Sequence, residues 1–154
     1  MTYFKRSLFV AVFFLFSLTA IADNSADIKA LVTTYHDWCD AIGNAKGDPA
    51  VVVKYYAPGA ILLPTLSPKI LINTQGGLDA YFTKFTSHTN IKCIPEKLIT
   101  RVYDENIGMN TGLYAFTYIE NGKTETVKAR FSFFYKKNSN QWLIINHHSS
   151  KLPL

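Results

Sequence analysis

Arg130 and His148 stand inside two stretches that otherwise read as apolar strands. A cation or an imidazole in such a place calls for a partner or a function. Arg130 belongs to Val127–Tyr135, rich in aromatic and β-branched residues; His148 ends the run that begins at Trp142. Alternation along a strand groups Arg130 with Ser132 and Phe134, and groups Trp142 and Ile144 with Asn146 and His148. If Arg130 faces inward, Phe131, Phe133 and Tyr135 face outward. His147 and His148 are adjacent, so they point to opposite faces and cannot share a metal unaided. One of them faces solvent; the other is a satisfied core histidine or a pocket group. His36 and Asp37 flank a helical stripe and read as solvated, and His88 lies in a polar loop. There is no glycine-rich phosphate loop, dinucleotide fingerprint, nucleophile elbow or metal-ligand spacing, so neither metal nor cofactor is expected. What remains is acid–base work by His148, or ligand binding around Arg130.

The elements that must position these groups follow in order. Asn24 or Ser25 can cap a helix whose stripe is Ile28, Leu31, Val32, Tyr35, Trp38, Cys39 and Ile42, closed by Gly43. Asp48-Pro49 starts a short second helix, Ala50 to Tyr56, which stops at Pro58-Gly59. Ala60–Leu63 and Ile70–Ile72 read as a hairpin of short strands, and Gly76-Gly77 opens a third helix bearing Leu78, Tyr81, Phe82 and Phe85 on one side. Asn90–Ile94 and Leu98–Asp104 are strand-like, broken by Pro95. Leu113–Ser150 then forms a three-strand meander with Asn121-Gly122 as its first turn. This order predicts an α+β domain, one curled antiparallel sheet wrapped around the helices.

The chain is long enough for one domain, and 48% hydrophobic and 14% aromatic residues exclude disorder. Residues 1–22 read as a cleaved signal peptide: basic Lys5 and Arg6, an apolar Leu8–Leu18, and the small-x-small Ala20-Ile21-Ala22. The apolar run is shorter than a spanning helix needs, so no stable membrane span is expected after processing. The expected mature domain is 23–154, periplasmic or secreted. Cleavage removes two basic residues from a formal charge of +5, leaving a mild, diffuse surplus that does not argue for nucleic acid. Cys39 and Cys93 could pair in an oxidising compartment, but Cys39 lies on the apolar stripe, and a buried free thiol is the favoured reading.

Trp142–Ser150 followed by Leu152-Pro153 resembles the closing strand of the calcium/calmodulin-dependent protein kinase II association (hub) domain and its small bacterial SnoaL-like relatives, within the nuclear transport factor 2-like superfamily. Gly47-Asp48 through Ala57-Pro58 and Ala60–Pro64, and then Gln75–Phe82, extend the likeness over nearly all of the mature chain. The resemblance implies a cone-shaped α+β barrel, a strongly bent sheet enclosing a pocket, with an outer face that commonly makes a dimer. It also implies a pocket lined by basic residues. Arg130 stands on the family's arginine-bearing strand, but a second arginine is replaced near Ala115, Tyr81 stands where hub domains carry histidine, and Gly59 replaces an aspartate common in relatives.

Two functions follow. One is an exported homo-oligomeric binding or assembly module without kinase activity, its cone holding a small anionic or aromatic ligand. The other is a small isomerase, cyclase or hydratase with His148 as base and Tyr35 or Tyr81 as donor. In either case Tyr35, Trp38, Tyr81, Arg130, Asn146 and His148 are expected to line one pocket.

Overall fold

A computed structural model of the chain describes residues 24–153 apart from 66 and 75. The proposed signal peptide lies outside the described residues. Three helices come first: α1 (Ser25–Asn44), α2 (Ala50–Val53) and α3 (Gly77–Thr86). The strands are β1 (Tyr56–Leu63), β2 (Leu71–Ile72), β3 (Thr89–Val102), β4 (Ile107–Glu120), β5 (Lys123–Asn138) and β6 (Gln141–Lys151). They form one six-stranded sheet in the order β2-β1-β6-β5-β4-β3. The expected α+β architecture is present, and the sheet is open rather than closed into a barrel. It is also mixed rather than purely antiparallel, because β1 runs parallel to β6.

α1 forms where the apolar stripe said it would and passes Gly43 by one residue. Leu31, Tyr35, Trp38, Cys39 and Ile42 are buried against the sheet. Gly108 of β4 lets the helix come close, since a Cβ there would meet the Leu31 side chain at 2.5 Å. The second helix is much shorter than expected. Asp48 caps it through the Ala50 amide at 3.0 Å, but Tyr56 already belongs to β1 and pairs with Ile144. The β3 segment is one long strand, not two. Pro95 and Glu96 are absorbed by a bulge, with Pro95 opposite Tyr114 and Lys97 opposite Leu113.

Cys39 and Cys93 form a disulfide with Cα atoms 5.3 Å apart, stapling α1 to β3. This corrects the free-thiol reading: the stripe that buries Cys39 aims it at an inward position of the neighbouring strand.

The largest correction concerns the faces of β5 and β6. Ala129, Phe131, Phe133 and Tyr135 are the inward residues of β5, and Arg130, Ser132 and Phe134 point out. On β6, Trp142 and Ile144 face inward, but a bulge then intervenes. Tyr135 is opposite Ile144 and Phe134 opposite Asn146, which leaves Ile145 unpaired. One extra residue reverses the alternation beyond it. His147 and Ser149 therefore turn inward, and Asn146 and His148 turn outward.

Candidate functional site

The space between α1, α3 and the concave face of the sheet is filled with rings. Tyr35 stacks on Phe131 at 5.1 Å, Trp38 meets Phe133 edge-on at 4.9 Å, and Tyr56 packs on Phe82 at 5.5 Å. In the midst of them is His147, only 4% exposed, with its ring 4.1 Å from Phe133 and 5.5 Å from Trp38.

His147 is held at both nitrogens. Nδ1 lies 2.8 Å from the Tyr56 hydroxyl and Nε2 lies 3.3 Å from the Tyr114 hydroxyl. Tyr114 donates its single proton to Ser149 Oγ at 2.7 Å, and Ser149 is in turn bonded to Thr65 Oγ1. The donor arithmetic fixes the imidazole. With its own proton given to Ser149, Tyr114 can only accept from Nε2–H, so Nδ1 is the acceptor for Tyr56. The result is an ordered chain, Tyr56 to His147 to Tyr114 to Ser149 to Thr65. It runs from the core to the half-buried residue that follows β1 and Pro64.

Every member of this chain is neutral near pH 7. Burial holds the His147 imidazole well below its ordinary value of 6.5, and the neighbouring His148 adds to the effect. Burial likewise pushes the Tyr114 and Tyr56 phenols well above 10, and that of Tyr81 up to about 12. The Ser149 hydrogen bond opposes the rise at Tyr114, and Trp38 opposes it at Tyr56. The Trp38 indole nevertheless lies outside hydrogen-bond geometry, so Trp38 Nε1, like the Tyr35 hydroxyl, is a buried donor without a partner.

The expected pocket residues thus divide. Tyr35 and Trp38 lie in the aromatic interior, and Tyr81 is half-buried at its edge against Phe82 and Phe85. Arg130 is on the other side of the sheet, exposed, with Nε donating to Ser150 Oγ at 2.9 Å. His148 is exposed there too, opposite Ser132, and Asn146 lies opposite Phe134. The six do not form one cavity. The buried polar or charged residues among those described are Thr86, Asn110, His147 and Ser149, and the half-buried Lys137 beside Trp142 is already paired with Asp27 at 2.6 Å, so no buried cation among the described residues is free to receive an anion. The residues missed are Tyr56, Tyr114, His147 and Ser149. Leu62, opposite His147 in the β1–β6 pairing, carries a readable inward signal, but the bulge at Ile145 does not.

The convex face is built in rows across the strands. One row reads Arg101, Met109, Phe134, Asn146, Ile61 and Ile72; the next reads Ile99, Thr111, Ser132, His148 and Leu63. Ile61, Ile72, Ile94, Ile99 and Phe134 are each about two-fifths or more exposed, at 38 to 48%. Two clefts, of about 250 Å³ beside Asp37, Asp40 and Lys54 and about 350 Å³ beside Lys46 and His88, open away from this face. No group of three or more potential metal ligands occurs among the described residues. Nor is any described helix long and apolar enough to cross a membrane.

A bent sheet with three helices over its concave face defines the nuclear transport factor 2-like cone fold. A dehydratase-like protein of that fold from Streptomyces avermitilis shares it at a TM-score of 0.71 and 12% identity, over 84% of this chain and 98% of that one. Residues 25–153 match the calcium/calmodulin dependent protein kinase II association domain, and the chain belongs to that family. A Xanthomonas campestris protein described as such an association domain is 34% identical, over 80% of this chain and 86% of that one, with a TM-score of 0.73. A CaMKII hub homology domain from Chlamydomonas reinhardtii shares the fold at 15% identity and a TM-score of 0.67, over 84% of this chain and all (100%) of that one. Among curated proteins, none matches the chain.

Proposed function

We propose that this protein is an exported assembly module that associates with itself through the convex face of its sheet. The observation that carries the reading is the exposed apolar set on that face, Phe134, Ile61, Ile72 and Ile99, spread over β5, β1, β2 and β3. A contiguous apolar patch on a monomer marks an interaction site, and a two-fold contact is the commonest way for identical chains to cover one. Membership of the association-domain family supports the same reading. The residues first expected at this contact, Phe131, Phe133 and Tyr135, are core; Phe134 takes their place. Light scattering on the purified protein in a sulfate buffer should give twice the chain mass at micromolar concentration, and a monomer at high micromolar concentration there would overturn the proposal.

Export is supported by the Lys5–Ala22 pattern and by the Cys39–Cys93 disulfide, a bond that persists in oxidising compartments. Mass spectrometry of periplasmic or secreted material should find the chain beginning at Asp23; a full-length species retained in the membrane would contradict it.

The second reading, acid–base catalysis, is favoured by one observation: the neutral His147 imidazole held between two tyrosine hydroxyls. His148 cannot serve as the base inside the cone, because it faces outward. Ligand screening against the wild type and Tyr56→Phe would test it; a ligand in the cone must disturb the His147 ring resonances, and none would if the network is only structural.

A further inference from the structure

The face proposed for self-association carries a charge pattern that opposes it. The outward positions of β3, β4, β5 and β6 include Lys97, Arg101, Lys128, Arg130 and Lys136, all exposed. Glu96 is the one carboxylate at the outward positions of the described strands, and it is already engaged, 3.2 Å from Lys128. Arg101 donates only to its neighbour's carbonyl, Thr100 O, and the terminal nitrogens of Arg130 have no partner among the described residues. The register brings these cations together. Lys97 and Arg130 both stand opposite Leu113 of the strand between them. Two strand spacings separate them, about 10 Å, which is no more than the screening length at 0.1 M salt.

An isologous contact places a patch against itself. The basic face therefore meets the equally basic face of the second copy, and like charge set against like charge across an interface is unfavourable. The exposed apolar side chains favour association while the cations on the same face resist it. A multivalent oxyanion accepting hydrogen bonds from arginine and lysine of both copies would remove the resistance, since charge-assisted bonds of this kind are the strong ones.

We propose that self-association through the convex face is gated by multivalent oxyanions such as sulfate or phosphate, bound between Lys97, Lys128 and Arg130 of the two copies. This rests on the self-association reading above and specifies its regulation. The gate needs no conformational change, because the cations are exposed in the single chain.

The test is sedimentation velocity on the intact mature protein in sodium chloride and in sodium sulfate at matched ionic strength. Dimer affinity should rise with ionic strength in both salts and be about tenfold higher in sulfate, because screening acts in both and bridging only in sulfate. The triple variant Lys97→Gln/Lys128→Gln/Arg130→Gln alters only exposed side chains. It should dimerise more tightly than wild type at low salt and lose the sulfate preference. Glu96→Gln, which removes the compensating carboxylate, should weaken the low-salt dimer. A wild-type dimer with equal affinity in both salts, or one weakened by salt, would overturn the gating proposal while leaving self-association intact. A monomer in every buffer, sulfate included, would overturn the self-association reading itself.

Discussion

Reducing the Cys39–Cys93 bond should cost this domain a large part of its stability. The bridge closes a loop spanning a sequence separation of 54 and ties α1 to β3. Loop-closure entropy for a loop of that length is about 14 cal/mol/K, or about 4 kcal/mol at 25 °C. For a domain of this size each kcal/mol shifts the melting temperature by about 3 to 4 °C, so a fall of about 15 °C is expected. Cys39 is 2% exposed and packs in the core, so replacing both cysteines by alanine adds a small packing loss. The assay is urea unfolding of wild type and Cys39→Ala/Cys93→Ala, each with and without a phosphine reductant. Reductant should lower the wild-type stability by roughly the mutational cost and leave the double variant unchanged. Two thiols titrating in the unreduced, denatured wild type would refute the bond. A reductant effect below about 1 kcal/mol would refute the reasoning from loop length.

His147 should make stability depend on pH in a defined window. Its folded-state pKa lies well below the 6.5 of the unfolded chain, so below pH 6.5 the unfolded state binds the extra proton and acidification destabilises. The slope should approach about 1.4 kcal/mol per pH unit as the pH falls below 6.5. It should disappear in His147→Gln and persist in His148→Gln, as read from urea midpoints across that range. Gly112→Ala should also destabilise, by about 2 kcal/mol or more, because the added methyl would strike the Lys97 carbonyl at the β3 bulge. Its thermal unfolding reads the loss, and a Gly112→Ala variant as stable as wild type would deny the close approach.

Much of the fold was legible because its signals are local. The α1 stripe, the glycine opening of α3 and the Asn121-Gly122 turn each specify their element without help from distant residues. The site was not, for three physical reasons. Alternation along β6 holds only until Ile145, and the bulge there arises from pairing with β5, which one strand's sequence does not encode. On β5, reading Arg130 as an inward cation in need of a partner overrode the simpler hydrophobic argument. Phe131, Phe133 and Tyr135 alternate with Arg130, Ser132 and Phe134, and burying three rings together outweighs burying one unpaired guanidinium. Tyr56 was lost for a third reason: Asp48-Pro49 signals where α2 begins, but nothing local marks its end after one turn.

Sedimentation equilibrium of wild type and Phe134→Arg, run side by side over a range of protein concentrations in sulfate, tests self-association through the convex face most directly. Phe134 stands between Met109 and Asn146 on the convex face and is 38% exposed in the single chain, so the substitution leaves the core untouched. Loss of a central aromatic contact of about 3 kcal/mol corresponds to a dimer dissociation constant about a hundredfold weaker. The result expected is a wild-type dimer at micromolar concentration and a folded Phe134→Arg monomer under the same conditions. A wild-type monomer throughout, or a Phe134→Arg dimer of undiminished affinity, would contradict it.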